Sequence, residues 1–279
     1  MKQVIYIILF ALGFSACATE KDYLVKIDTR HGQMYAVLFD ETPKHKENFI
    51  ALAKAGRFDS TEFHRVIQNF MIQGGDVFGK EKLPPNEWPT VPAEIVPGMI
   101  HSKGMIAAAR QGNNINPERR SSGSQFYIVQ GKVYERNELV ADQKLLSEAF
   151  AKYVQLGSNV ALLEKYQRLY QEGKFDSLSN WMLSYKDELE AFYNVKLEKR
   201  FTPEQIAAYT TVGGTPHLDN EYTVFGKVVK GLDVMEKIAA EKTEKDKPVD
   251  PVYMKVSVEL LPKSKITKDY GYTYEEQKK

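Results

Sequence analysis

The chain has 279 residues, with 38 Lys and Arg against 37 Asp and Glu, a formal net charge of +1. That balance excludes nucleic acid or an acidic surface as a partner recruited by bulk charge. An apolar content of 43% with no repeat or low-complexity stretch excludes a disordered chain, and the single cysteine excludes an internal disulfide framework.

Residues 1–17 read as a secretory signal. Lys2 is the short basic start, Val4 to Phe14 is almost wholly apolar, and Ser15, Ala16, Cys17 and Ala18 are small. The apolar run, about 11 residues, is well short of the ~20 that span a bilayer as a helix. Cys17 resembles the cysteine of a bacterial lipobox, where the thiol is lipidated and becomes the mature first residue. Phe14 stands where such a box usually has Leu. Unlipidated cleavage after Ala18 also fits, because Ala16-Cys17-Ala18 obeys the small-x-small rule. The expectation is a lipid-anchored protein of the bacterial cell envelope, facing periplasm or surface.

Alternating polarity predicts strands at 23–28 and 33–39 about a turn at His31-Gly32. Thr42 as cap and Pro43 at the first turn predict a helix that ends at Gly56, with Phe49, Leu52 and Ala53 as its buried stripe. Strand-like pieces follow at 62–66, 72–74, 104–109 and 125–129, and the proline-rich stretch 84–97 reads as loop. The last strands are 223–229 and 253–260, with a helix at 232–240. Many short strands with two helices predict a mainly β fold.

Segment 131–210 has helical spacing instead. Leu146, Phe150, Tyr153 and Val154 share one face, Leu163, Tyr166 and Tyr170 a second, and Tyr185, Leu189, Phe192 and Lys196 a third. Thr202-Pro203-Glu204-Gln205 reads as a capping box. About 80 residues are too many for a structureless loop in a compact domain, so the block reads as an inserted α-helical subdomain. Residues 263–279, rich in lysine, read as a charged, solvated tail.

Three motifs carry the chemistry. Residues 63–76 read Phe-His-Arg-Val-Ile-Gln-Asn-Phe-Met-Ile-Gln-Gly-Gly-Asp, 123–129 read Gly-Ser-Gln-Phe-Tyr-Ile-Val, and 218–228 read Leu-Asp-Asn-Glu-Tyr-Thr-Val-Phe-Gly-Lys-Val. In this order they resemble the signatures of the cyclophilin family of peptidyl-prolyl cis/trans isomerases. The resemblance covers 22–130 and 211–262. It implies a closed eight-stranded antiparallel barrel capped by two helices, with proline-containing segments of unfolded or exported proteins as partners.

Isomerisation about an X-Pro bond must cross an amide-resonance barrier of roughly 18–20 kcal/mol. No bond breaks, so no cofactor, metal or nucleophile is expected. A cation or donor near the prolyl nitrogen weakens the resonance, and an apolar pocket holds the ring. Arg65 is the expected catalytic residue, always charged and with several donors. Taken alone, an arginine is more often a surface salt-bridge partner; its setting in the first motif favours catalysis. Gln73 is expected to bond substrate backbone, and Gln125 follows the same logic. Phe70, Met71, Phe126, Leu218 and Tyr222 read as the proline pocket, although each alone fits barrel core. By resemblance, Ala109 and Arg110 lie on the groove floor, with Arg110 where the family has Asn. His64 reads as a structural histidine.

Two departures stand out. His217 occupies the position of a Trp found in family members that bind cyclosporin strongly, so weak cyclosporin binding is expected. Tyr222 stands where His is frequent. Gly74-Gly75 and Gly213-Gly214 lack phosphate-loop spacing and read as turns, and no His/Cys/Asp cluster has metal-ligand spacing. The rival readings are a non-enzymatic envelope lipoprotein that grips proline segments or a partner, and a structural envelope subunit.

Overall fold

A computed structural model of the chain describes residues 20–198 and 201–274. The expected signal and Cys17 lie outside the described residues. The chain runs β1 (Lys21–Thr29), β2 (Gly32–Leu38), α1 (Pro43–Lys54), β3 (Thr61–Glu62), β4 (Arg65–Ile67), β5 (Met71–Gly74), α2 (Val77–Lys80), β6 (Thr90–Val91), β7 (Met105–Ala108), β8 (Ser121–Ser122) and β9 (Phe126–Val129). Helices α3 (Gln143–Val154), α4 (Val160–Gln171), α5 (Phe175–Ser184), α6 (Lys186–Tyr193) and α7 (Pro203–Thr211) follow. Then come β10 (Val224–Lys230), α8 (Leu232–Ala239), β11 (Thr243–Glu244), β12 (Lys247–Pro248), β13 (Tyr253–Pro262) and α9 (Lys263–Tyr270).

The expected closed eight-stranded barrel is replaced by an open sheet of nine strands, in the order β3-β13-β1-β2-β10-β7-β9-β5-β4. Its two edge strands, β3 and β4, follow one another in the chain, separated by Phe63 and His64 alone. The sheet therefore curls until its edges meet, but two- and three-residue strands that run on into each other cannot pair. The seam is tied instead by the segment ahead of β13, where Phe63 N–H donates to Val252 O (2.9 Å) and Val66 N–H to Asp246 O (2.7 Å).

Side chains alternate between the faces of a strand, so the pleat divides the sheet into core and site. Ile72 of β5, Ile106 and Ala108 of β7, and Phe126 and Ile128 of β9 point inward. They meet Phe49, Ile50 and Leu52 of α1 and Val234, Met235 and Ile238 of α8 in one core. Met71, Ala107, Tyr127 and Val129 take the opposite face, joined there by Val224 and Ala109.

Two local expectations change. Thr42 makes no capping bond to α1; the Glu94 carboxylate accepts the N–H groups of Lys44 (3.1 Å) and His45 (3.0 Å). A full negative charge serves the free N–H groups and the helix dipole better than a hydroxyl. The stretch from Lys263, read above as solvated, is helical to Tyr270, and Ile266 is buried in a small cluster with Leu24, Val37 and Leu261.

Helices α3 to α6 bury Leu146, Phe150, Val154, Leu178, Met182 and Leu189 against one another, in a core separate from the sheet's. The capping box at Thr202 and Gln205 forms. The third stripe does not continue as one helix. Tyr185 separates α5 from α6, Phe192 is exposed, and Lys196 lies past the end of α6.

The chain enters this helical region at Gly131 and returns at Gly214, and the two passes are bridged. Gly214 N–H donates to Lys132 O (3.0 Å), and Gly131 N–H donates to Phe70 O (2.9 Å). Gly131 sits at φ +63°, and a Cβ there would lie 2.3 Å from Gly214 Cα. Gly131→Ala is therefore expected to lower stability by about 2–4 kcal/mol. An unchanged midpoint in urea denaturation would show that the two passes separate at no cost.

Candidate active site

On the outer face of the sheet, register aligns the polar and aromatic groups into a row. Arg65 of β4 pairs with Gln73 of β5, Gln73 with Tyr127 of β9, and Tyr127 with Ala107 of β7. Directly paired residues point the same way, so the row lies on one surface. Beside it is a cavity of about 220 Å³. Met71, Ala109 and Tyr127 line it together with Phe70, Leu218 and Tyr222, while Arg65, Gln73 and Arg110 supply its polar edge.

Phe126 is not among these residues, and its expected place in the proline pocket is corrected. It is 1% exposed and packs edge-on against Phe49 (5.4 Å), Phe58 (5.9 Å) and Phe63 (6.3 Å) in the core. Because the strand period is two, its neighbour Tyr127 faces the cavity instead. Gln125 stands next to the cavity lining, accepting a bond from Gln73 Nε2 at 3.2 Å. The alternation through 125–129 contained this distinction; which phase faced the groove became readable only with Gln73 paired to Tyr127.

Arg65 is half-exposed. Its Nε lies 3.4 Å from Asp246 Oδ2, an exposed pair of the kind that contributes little. His64, 3.5 Å from Gln73 Nε2, is half-buried, and burial holds its pKa below the ordinary 6.5. It is therefore neutral at neutral pH and does not compete with Arg65 as the local cation.

Arg110 is held differently. Its side chain is 4% exposed and donates to Glu221 O (2.9 Å), Glu221 Oε2 (3.1 Å), Gln111 O (2.9 Å) and Asn113 Oδ1 (2.7 Å). Its guanidinium carbon lies 4.5 Å from the Tyr222 ring centroid. This arginine is a brace for the cavity wall, with its charge already engaged.

Behind the cavity runs a buried polar chain; two of its members, Tyr127 and Asp219, lie in the motifs, but the link between them was not signalled there. Tyr127 Oη lies 3.0 Å from His101 Nε2, and His101 Nδ1 lies 3.1 Å from Asp219 Oδ1. Tyr209 of α7 donates to both Asp219 oxygens at 2.7 Å. With Nδ1–H directed at the carboxylate, His101 Nε2 is left as acceptor and the Tyr127 hydroxyl donates to it. Burial raises the Tyr127 hydroxyl well above its ordinary pKa, so it keeps its proton. The hydroxyl is thus turned inward, and the ring is left for the cavity.

A small apolar cavity, edged by one available cation and one amide, is suited to gripping a ring and polarising an amide rather than to making a covalent bond. Among the described residues, no Ser, Thr or Cys lines it. The sequence profile of the cyclophilin type peptidyl-prolyl cis-trans isomerase/CLD family matches residues 24–178 and 205–258. A Staphylococcus haemolyticus protein provisionally described as a peptidyl-prolyl cis-trans isomerase is 30% identical over 248 residues, covering 86% of this chain and 93% of that protein. A Streptococcus pyogenes serotype M6 protein, provisionally described as a bifunctional phosphatase/peptidyl-prolyl cis-trans isomerase, is 31% identical over 234 residues; this covers 82% of the chain but 37% of that longer protein. A peptidyl-prolyl cis-trans isomerase of Arabidopsis thaliana is 40% identical over 118 residues, 41% of this chain and 70% of its own. The chain belongs to the cyclophilin family of peptidyl-prolyl cis/trans isomerases, and its activity is isomerisation of X-Pro peptide bonds.

Phe126→Ala is expected to cost about 3–5 kcal/mol of stability, as large-to-small core changes do. Tyr127→Leu is expected to raise KM for an Ala-Pro peptide about tenfold, through lost contact with the prolyl ring. Unfolding curves and steady-state exchange kinetics on both variants check the assignment; the opposite pattern would return Phe126 to the pocket.

Proposed function

We propose that Arg65 drives the isomerisation and that the substrates are proline-containing segments of exported proteins during folding. The observation that carries the mechanism is the row Arg65–Gln73–Tyr127 on adjacent strands beside an apolar cavity. The prolyl ring enters between Met71, Tyr127 and Leu218. As the amide twists, its nitrogen becomes pyramidal and its lone pair becomes a hydrogen-bond acceptor, which the guanidinium meets with an N–H. Gln73 holds substrate backbone beside it. The interaction forms only with the twisted amide, so it lowers the barrier rather than merely tightening binding. The exposed pair with Asp246 is cheap to leave, so Arg65 reaches the substrate without breaking a buried contact.

Arg65→Ala is expected to lower kcat/KM for an Ala-Pro peptide by about 100-fold or more, the scale seen when one transition-state donor is removed. Circular dichroism and the unfolding midpoint should stay near wild type, because the side chain is half-exposed. Wild-type-like exchange by a correctly folded variant would sink this mechanism. The same reading assigns Phe70 and Tyr222 as cavity walls and Ala109 as groove floor. Weak cyclosporin binding belongs to the same proposal, on the ground of His217.

The export part of the proposal rests on the residues before the described ones: Lys2, the apolar run, and the lone Cys17. Lipidation there would hold the enzyme at a bacterial envelope membrane, where newly exported chains emerge. Expressed in an envelope-competent bacterium, the protein is expected in the detergent phase on Triton X-114 partition, and Cys17→Ser is expected to move it to the aqueous phase. A wild-type mature form that begins at Thr19 and stays aqueous would refute the anchor.

A further inference from the structure

A second, larger cleft, about 560 Å³, lies between the helical region and the rim of the sheet. Arg110, Leu218 and Tyr222 wall both this cleft and the proline cavity, so the two spaces adjoin. The far wall belongs to α3, α4 and α5. Leu178 and Met182 form an apolar base that is already part of the helices' own core. In front of them stand Tyr166, Tyr170 and Phe175.

The helical core takes up part of Tyr166, which meets Phe150 at 6.2 Å, but leaves the other two rings outside it. Tyr170 is 59% exposed and Phe175 51% exposed. Tyr166 and Tyr170 stack with centroids 6.4 Å apart, and Phe175 meets Tyr170 edge-on at 5.7 Å. Clustered rings left in water beside an apolar base are unusual on a globular surface and mark a binding face. The charged lining residues are engaged with one another. Glu221 accepts from Arg110 on the sheet side and lies 3.6 Å from Lys144 Nζ of α3 on the helical side.

We propose that this cleft is a second substrate subsite, which takes a bulky apolar side chain, preferably aromatic, from the same polypeptide whose X-Pro bond occupies the cavity. This inference rests on the cavity being the isomerase site. Adjacency selects the occupant: a chain gripped at its proline against Leu218 and Tyr222 leaves the cavity beside residues that also wall the cleft. An extended chain advances about 3.3 Å per residue, so a side chain a few positions from the proline reaches the cleft. The volume suits one large ring with adjoining backbone, near the middle of the roughly 300–1,000 Å³ typical of ligand sites. Such a subsite favours unfolded proteins, whose aromatic residues are exposed together with their prolines.

The test uses the full chain and a peptide series with one Ala-Pro bond. A single Phe is moved through positions about two to five residues before and after the proline, with Ala elsewhere. Kd by calorimetry and kcat/KM by NMR exchange are measured on each peptide. At one or more positions Phe is expected to improve both by about tenfold over Ala, the scale of burying one aromatic side chain. In a Tyr170→Ala/Phe175→Ala protein the Phe-to-Ala ratio at that position is expected to fall toward one. Both rings are half-exposed, so the fold should tolerate the change. The wild-type series stands without the variant: if no position separates Phe from Ala by more than about twofold, the subsite does not exist. A preference that survives in the variant overturns it equally. Binding preference without acceleration of any peptide would instead leave the cleft standing and remove the isomerase reading on which it was built.

Discussion

Asp219 holds this molecule's site together. Its side chain is 1% exposed, and a buried carboxylate is costly unless its oxygens are bonded. Here they receive the backbone N–H of His101 at 2.8 Å, Tyr209 Oη at 2.7 Å and Gln205 Nε2 at 3.3 Å, with His101 Nδ1 at 3.1 Å. The four donors come from three places: His101 in the loop before β7, Tyr209 near the end of α7, and Gln205 near its start. One anion thus fastens the third motif to the sheet and the last helix of the long intervening segment to both. Burial and the neighbouring carboxylate push the Tyr209 hydroxyl upward, so it remains a donor. Removing any partner would leave charge uncompensated in a dry place, which costs more than the bond itself.

The anion also shapes the catalytic surface from behind. By orienting His101, it orients the Tyr127 hydroxyl, and by that the ring that faces the cavity. Tyr222 meets the Tyr127 ring at 82° with centroids 5.9 Å apart, and Arg110 braces Tyr222 from its other side. The cavity is therefore a fixed shape, while Arg65 at its mouth is loosely held. That division suits the mechanism proposed for Arg65, in which the ring is gripped rigidly and the donor follows a nitrogen that moves as the amide twists.

The long segment after β9 is tied to the sheet at a few places and otherwise packs on itself. Gly131 and Gly214 bring its two ends together, Asp219 holds α7, and Glu221 lies near Lys144 of α3. Between these ties the helical face and the sheet stand apart, and the cleft is the space they leave. A separate hydrophobic core for α3 to α6 allows this, because neither body needs the other to bury its apolar face.

Much of this was present in local sequence. Most of the longer strands and helices follow from periodicity, the capping box at 202–205 from residue type, and the candidacy of Arg65, Gln73, Met71 and Tyr222 from three motifs in order. These are properties of neighbouring residues, set by a period of two or 3.6 and by a few backbone bonds. What tertiary structure decided were the relations between distant residues. Whether Phe126 or Tyr127 faces the groove depends on pairing with β5, not on either side chain, since both are large and aromatic. The cap of α1 came from Glu94, 49 residues beyond His45, and not from the adjacent Thr42. His101 and Asp219 are 118 residues apart, and nothing near either predicts the other. The sheet stayed open because its edge strands are consecutive and too short to pair, a matter of topology. Periodicity tells a residue which way it can face; only register and packing decide what it faces.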